Sequence, residues 1–418
     1  MQTPGQLSAL RHPQFLKYWL GSFTSVGAIQ LQVMGLGWLV YELSESALHL
    51  GYLGAAAGIP ATVLTFFGGV LADRLDKRTV LIVTSLLTSL LIGFLAFLDY
   101  SAVVKVWHVI AITATISIVN WFDWPVRQAI FPALIEREDM MSAVALTTII
   151  WQSTRMAMPA LGGLIIAVAD TWLLFVLCSI GYFLMFIMLL TLKVRTKATA
   201  TAHSTLHQIR EGIGFIVTER HFLILITLSY AMFFFASSYM QLMPAFADML
   251  NVDERGFGYL LSITGIGAVT GTAISGTLQG SHRLGRAMIS SAIIFCGFVY
   301  CFAFVCWALP VAAFYFALAT IFIASMFSSI FMVTSTSVMQ LEVPDHLRGR
   351  VMGIHAITYN LIPLGALLTG TLATWSNPSA AISICTTVVV GYLVWITVMQ
   401  RDILKIDGMK LTKKADWG

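Results

Sequence analysis

The sequence predicts an all-α membrane protein with twelve transmembrane helices in two pseudo-symmetric halves of six. Three observations carry this prediction: the composition, the number of apolar runs and the distribution of basic residues. Of 418 residues, 58% are hydrophobic and 11% are charged, whereas soluble domains carry about 25% charged residues. Together with a mean hydropathy of +0.84, this composition indicates a chain that lies in a lipid bilayer.

Twelve apolar runs are long enough to cross a bilayer, for which a helix needs about 20 residues. They leave no room for a soluble catalytic domain, so we expect no enzyme activity and no cofactor. No phosphate-binding loop or metal-ligand spacing is present either. The runs lie at approximately 16–41, 48–71, 79–99, 106–132, 141–168, 172–193, 221–247, 256–280, 287–308, 310–340, 350–374 and 378–400.

The basic residues predict the orientation, because Lys and Arg favour the cytoplasmic ends of short links. Twenty of the 24 lie in the two tails or in even-numbered links, and only Lys105 and Arg255 lie in odd-numbered links. We therefore expect a multi-pass protein with both termini in the cytoplasm. The net charge of +4 reflects this topology and does not indicate a nucleic-acid partner.

The chain divides into two related halves. Residues 194–220 form the longest polar segment and separate six runs from six, which predicts bundles at 1–193 and 221–418 joined by a cytoplasmic linker. An offset of 207 residues places Gly69 and Leu71 on Gly276 and Leu278, and the same offset aligns 135–144 with 342–351. Two matches at one offset indicate an internal repeat, an arrangement typical of transporters.

The charged stretch GGVLADRLDKRTV, residues 68–80, resembles the signature between the second and third spans of the major facilitator superfamily. The resemblance implies the major facilitator fold and a cytoplasmic gate in which Asp73 pairs with neighbouring bases and with a helix end. The alternative is an ordinary positive link. The predicted gating residues are Gly69, Asp73, Arg74, Lys77, Arg78, Glu136, Asp139, Arg283, Arg286, Arg348 and Arg350.

Further segments resemble one branch of that superfamily, the transmembrane secretion effectors of the enterobactin-exporter-like type. They are the Asp-x-Pro-x-Arg-Gln run at 123–128, the link FPALIEREDMMSA, the stretch from Arg155 to Gly163, and residues 343–354 and 209–216. Met158 replaces the glycine that antiporters of the superfamily carry before the proline. This branch implies a bacterial cytoplasmic (inner) membrane protein.

Among the ionisable residues of the apolar runs, three are convincing candidates for a role in transport, because a charge in the bilayer centre costs about 2.5–3.5 kcal/mol on insertion scales. Asp123 and Arg127 stand four apart on one helix face and can pair. We interpret them as a proton-coupling pair or, alternatively, as a permanent ion pair. Arg155 has no acid within four residues on its own helix. We therefore interpret Arg155 as an anchor for an acidic or oxygen-rich substrate.

The remaining polar and aromatic residues of the runs predict a large amphipathic pocket. By resemblance, the pocket walls come from both halves, although each aromatic residue can equally serve packing. The predicted substrate-binding residues are Gln30, Gln32, Trp124, Trp151, Gln152, Arg155, Tyr230, Tyr239, Gln241, Tyr359 and Asn360.

The predicted function is proton-coupled export of amphipathic small molecules, siderophores or drug-like compounds, by alternating access. A monomer in the lipid bilayer, with a small-molecule substrate and protons as its partners, is expected. An importer of siderophores, sugars or lysolipids with the same fold is the first alternative, because this fold does not determine direction. A membrane receptor or assembly partner without transport activity is the second.

Overall fold

The computed structural model describes residues 7–67, 76–130, 133–193, 205–278, 281–308, 313–400 and 402–408. Within these ranges the chain forms helices and short turns, and no β-strand. The α-helices are α1 (Pro13–Ser44), α2 (Ala47–Phe67), α3 (Lys77–Tyr100), α4 (Val106–Ala129), α5 (Met140–Thr191), α6 (Thr205–Thr218), α7 (Arg220–Ala231), α8 (Met243–Met249), α9 (Glu254–Leu278), α10 (Leu284–Ala308), α11 (Ala313–Glu342), α12 (Asp345–Ala356), α13 (Thr358–Trp375) and α14 (Pro378–Met399).

In the described part of the chain, 11 helical segments are long and apolar enough to cross a membrane. One of them contains α5, whose 52 residues are interrupted at Ala169 and Asp170, with φ of −147° and 65°. A positive φ is uncommon for a residue with a Cβ and marks a break in the helix. The two parts of α5 correspond to the fifth and sixth predicted runs, so these segments account for the twelve predicted spans.

The first compact unit comprises Met1–Ser44 and Ile59–Thr205. In it, α1 packs along α5, and α3 packs on both α4 and α5. Phe15, Leu81 and Met185 belong to an apolar cluster at one end of this bundle. The short 3-10 helix Ser8–Arg11 is attached there, because the Ala9 N–H donates to a hydroxyl of α5 at 3.2 Å.

The second unit comprises Glu45–Gly58 and Leu206–Gly418. There α9 and α10 pack on α11, and α14 packs on α10 and α13. The first part of α2 lies against α13 in this unit, at a distance that only glycine permits: a Cβ on Gly54 would lie 2.4 Å from the carbonyl oxygen of Pro363. Helix α6 lies within residues 194–220, whose role as a linker between two bundles stays a prediction.

Glycines also bring α9 against α11. A Cβ added to Gly267 would lie 2.4 Å from the Phe322 carbonyl oxygen, and one added to Gly271 would lie 2.1 Å from that of Met326. Small residues at this spacing let two helix backbones approach closely. The glycines of α9 therefore account for its close packing against α11.

Candidate functional site

Asp123 and Arg127 form an ion pair inside the first unit, with the Arg127 Nε donating to Asp123 Oδ2. Asp123 and Arg127 each have 8% of their surface exposed. Thr84 of α3 donates its hydroxyl to the second carboxylate oxygen at 2.8 Å. Arg127 also donates from Nη1 to the Ser25 hydroxyl of α1 at 3.2 Å. Both carboxylate oxygens and two guanidinium nitrogens therefore have partners from three helices.

Two buried tyrosines lie near this pair. Tyr18 of α1 is 3% exposed and lies close enough to Arg127 to interact with its charge. Tyr182 of α5 donates its hydroxyl to Gln32 Oε1 at 2.9 Å. The predicted substrate residue Gln32 thus has its side-chain oxygen engaged within the bundle, whereas Gln30, two residues earlier on α1, is half-buried.

The residues that complete the ion-pair network, Ser25 and Thr84, are absent from the sequence prediction. A signal for Thr84 does exist: Thr84, Ser85, Thr88 and Ser89 place hydroxyls on one side of an apolar helix, and all four are buried. Such a stripe indicates a polar partner on a neighbouring helix. Around Ser25 the pattern is shorter, since Ser22 is the buried hydroxyl residue one turn before it on α1.

Arg155 lies half-buried on α5, on the same face as Trp151, Gln152 and Pro159. Pro159 is buried within the helix, and the adjacent Met158 lies against Gly27 of α1, with Sδ 3.6 Å from the position of an added Cβ. The side chain of Trp124 lies outside the described residues. The structure therefore brings three of the predicted substrate residues together on one helix face of the first unit.

In the second unit, the segment after α7 departs from regular helix. Met232–Ala236 forms a π-helix and Ser237–Met240 a 3-10 helix. The Phe234 carbonyl faces α13, where a Cβ on Gly365 would lie 1.8 Å from it. Irregular backbone at membrane depth is tolerated where it is buried in protein or lines a water-filled cavity, and π-helical turns are frequent at functional sites.

Several predicted substrate residues surround this irregular segment. Tyr230 donates its hydroxyl to the Ile354 carbonyl at 2.6 Å. Tyr359 is 58% exposed and lies edge-on to Phe233, with ring centroids 5.8 Å apart. Tyr239 is 2% exposed and packs within the bundle; Gln241 and Asn360 are half-buried.

Of the predicted gating residues near α3, Gly69, Asp73 and Arg74 lie outside the described residues. Arg78 donates from Nε and Nη2 to the carbonyls of Leu189 and Leu190, at 3.0 and 2.8 Å. These carbonyls end α5, so the guanidinium caps a helix C-terminus. Lys77 is half-buried at the start of α3.

The link before α5 carries two further predicted gating residues. Glu136 is exposed, whereas an Asp139 carboxylate oxygen lies 2.7 Å from His12 Nε2. Asp139 thus attaches the segment that precedes α1 to the start of α5. This attachment lies entirely within the first unit.

In the second unit, Arg348 pairs with Asp345 on the same helix at 2.5 Å, and Arg283 and Arg286 are exposed. Arg350 pairs at 2.5 Å with Glu211 of α6, a partner that no local sequence pattern indicates. This ion pair fixes α6 against α12.

The C-terminal segment docks on the start of α10. The Gly285 N–H donates to the Ile406 carbonyl at 3.1 Å, and His282 Nδ1 lies 3.0 Å from an Asp407 oxygen. Beside them, the hydrogen bond that Lys405 donates at 2.8 Å holds the pKa of the exposed Asp402 below its ordinary value. Within the described ranges, no group of three or more His, Cys, Asp or Glu residues is placed to hold a metal ion.

The helical segments that account for twelve spans, together with the match to a family profile, identify a membrane transporter of the major facilitator superfamily. The sequence profile of the transmembrane secretion effectors matches residues 4–416, and the chain belongs to that family. The branch inferred from the motifs is therefore confirmed.

Two curated relatives illustrate the family. The Staphyloferrin A transporter of Staphylococcus aureus is 26% identical over 363 residues, which cover 85% of each chain. The Enterobactin exporter EntS of Shigella boydii is 26% identical over 384 residues, covering 90% of this chain and 89% of the relative.

Solved structures share the fold. The nucleoside transporter NupG superposes with a TM-score of 0.73 at 12% identity, over 92% of this chain and 98% of that one. A bacterial homologue of the iron transporter ferroportin in an inward-facing state has a TM-score of 0.65 at 16% identity, over 91% and 98%. At these identities the likeness concerns the fold alone.

Proposed function

We propose that the protein exports amphipathic small molecules of the siderophore class from the bacterial cytoplasm, by alternating access and at the expense of a proton gradient. The observation that carries this proposal is the family match over nearly the whole chain, together with relatives named as a siderophore transporter and a siderophore exporter. The protein would lie in the inner membrane with both termini in the cytoplasm.

The proposed substrate contacts in the first unit are centred on Arg155. A guanidinium binds carboxylate and other oxygen groups by paired hydrogen bonds, which suits an oxygen-rich ligand. Its neighbours on the same face, Trp151 and Gln152, add an aromatic ring and an amide. In the second unit, the exposed ring of Tyr359 and the half-buried Gln241 and Asn360 are the corresponding candidates.

The proposed proton site is Asp123. Among the described residues it is the one carboxylate in the buried set, and its partner Arg127 is the one buried guanidinium. Protonation would cancel the charge of Asp123 and leave Arg127 buried without a counter-charge, which is strongly unfavourable. A proton at this site would therefore favour a different arrangement of α1, α3 and α4, and so link proton binding to conformation.

Inside-out membrane vesicles with an imposed pH gradient test the proposal. With enterobactin and staphyloferrin A as radiolabelled probes, an exporter accumulates substrate when the vesicle interior is acidic. Arg155→Ala is expected to abolish accumulation of an acidic probe, because its anchor is lost. Arg255→Ala serves as the matched control, since Arg255 is exposed and belongs to neither the predicted gating residues nor the predicted substrate residues.

The same vesicles distinguish the alternatives. An importer of this fold would show no uptake in inside-out vesicles but would accumulate the probe in right-side-out vesicles. Uptake that is unchanged after the pH gradient is collapsed with an uncoupler would contradict proton coupling, while leaving export intact.

A further inference from the structure

A groove opens between α10 and α14, at the end of the second unit that lies away from the docked C-terminal segment. It has a volume of about 390 Å³, within the range of pockets that hold small molecules. One wall consists of Tyr300, Phe304 and Trp307 of α10, whose spacing of four and three residues places the rings on one helix face. The aromatic wall therefore forms a continuous ridge.

The opposite wall consists of small residues: Asn377, at the N-cap of α14, and Ala380 and Ser383 of α14 itself. Their spacing of three residues also places them on one face. An aromatic ridge facing a row of small side chains leaves a slot between the helices. Both rows are visible in the sequence, the aromatic one within residues 300–307 and the row of small residues within 377–383.

Each polar side chain that lines the groove makes at least one hydrogen bond within the protein. Asn377 Oδ1 accepts a hydrogen bond from the Ala380 N–H at 2.8 Å, and Ser383 donates to the Ser379 carbonyl at 2.8 Å. The Tyr300 hydroxyl lies 2.7 Å from that of Thr387. The groove therefore favours an apolar occupant, since a polar ligand would lose its hydration without gaining these bonds.

The groove is continuous with the apolar outer surface of two membrane spans. Phe304 and Trp307 are 60% and 64% exposed, and Ile384 and Val388 of α14 are 52% and 50% exposed. In a chain that spans a bilayer, such exposed apolar side chains face lipid. Lipid is accordingly the molecule that reaches the groove first and in the highest local concentration.

From this geometry we infer that the groove is a binding site for one zwitterionic phospholipid, whose acyl chain lies in the slot between α10 and α14. None of the described residues that line it is charged. Recognition of anionic lipids depends on clustered Lys and Arg, which this lining lacks, so we assign the site to a phospholipid without net charge.

Native mass spectrometry of the full-length purified protein tests the inference, with phosphatidylethanolamine and phosphatidylglycerol added in equal amounts. One phosphatidylethanolamine is expected to stay bound at collision energies that remove the other lipids. Ser383→Phe fills the slot with a ring and is expected to weaken this binding about tenfold or more. Val388→Phe places the same ring on the same helix outside the groove and is expected to retain the lipid.

Folding of each variant is checked by its thermal unfolding midpoint, and Ala380→Leu replaces Ser383→Phe if the latter does not fold. Equal lipid retention by the wild type and the groove-filling variant would overturn the inference. Retention of phosphatidylglycerol alone, or of no lipid by the wild type, would overturn it as well. None of these readouts depends on transport activity.

Discussion

At the residue scale, the Asp123–Arg127 pair is the most costly feature to bury, and its surroundings show how the cost is met. Removing two charges from water is repaid only when the geometry is good and the remaining donors and acceptors are satisfied. Thr84 and Ser25 supply two of those partners from neighbouring helices. The pair therefore depends on the relative positions of α1, α3 and α4.

Thr84→Val tests how much the ion-pair network depends on its neighbouring helix. The hydroxyl of Thr84 donates to the Asp123 carboxylate at 2.8 Å. Removing it leaves a buried carboxylate oxygen without this donor, which should destabilise the protein by about 1–3 kcal/mol. The measurement is the thermal unfolding midpoint in detergent, followed by the initial uptake rate in vesicles.

Thr88→Val is the matched control, because Thr88 is buried on the same helix one turn further along. If Thr84→Val unfolds at the same temperature as Thr88→Val, the hydroxyl of Thr84 contributes nothing specific to the Asp123–Arg127 pair.

The pairing of Asp123 with Arg127 follows from the sequence, since a separation of four residues places both on one face of α4. Partners from other helices do not follow from it. Thr84 lies 39 residues before Asp123, and Glu211 lies 139 residues before Arg350. The residues next to Arg350 in the sequence do not show whether it pairs with α6 or takes part in a cytoplasmic gate. Only the folded structure shows the ion pair with Glu211.

At the element scale, glycine determines how closely the helices pack. Gly271→Ala should destabilise the second unit by roughly 1–3 kcal/mol, because the added Cβ would lie 2.1 Å from the Met326 carbonyl oxygen. That oxygen is part of a helix backbone and cannot move independently. The measurement is the thermal unfolding midpoint in one detergent.

Gly276→Ala on the same helix provides the comparison, since a Cβ there would meet no atom within 4 Å. Alanine favours helix over glycine by up to about 1 kcal/mol, so this variant should unfold at the same or a higher temperature. A midpoint for Gly271→Ala equal to that of Gly276→Ala would contradict the packing argument.

Hydropathy predicts where the spans lie, but it does not predict where their backbones depart from a regular α-helix. The runs at 141–168 and 172–193 lie on one helix, α5, broken only at Ala169 and Asp170. The run at 221–247 contains α7, a π-helix, a 3-10 helix and α8. These deviations depend on neighbours such as Gly365, whose contact with the Phe234 carbonyl is not visible from either segment alone.

At the scale of the whole molecule, the distribution of basic residues predicts a topology that labelling can test. Lys105→Cys should react with a membrane-impermeant maleimide on intact cells, whereas Arg286→Cys should react only after the cells are permeabilised. Cys301 is the exposed one of the five native cysteines, so it is first replaced by serine. The reverse pattern of labelling would invert the proposed orientation.

The predicted repeat makes the starts of α3 and α10 equivalent positions, and the structure shows that each is attached to a later segment of its own unit in a different way. Arg78 and Gly285 are separated by 285 − 78 = 207 residues, the offset of the internal repeat. In the first half a long guanidinium reaches the carbonyls of Leu189 and Leu190; in the second, the backbone of Gly285 itself meets the Ile406 carbonyl.

A Cβ at position 285 would lie 1.9 Å from the Ile403 carbonyl oxygen. Selection should therefore act on the two copies in opposite ways. Position 78 requires reach and charge, whereas position 285 requires the absence of any side chain. If alignment of the two segments supports the predicted repeat, this position is one where an attachment is kept although the amino acid that forms it has changed completely.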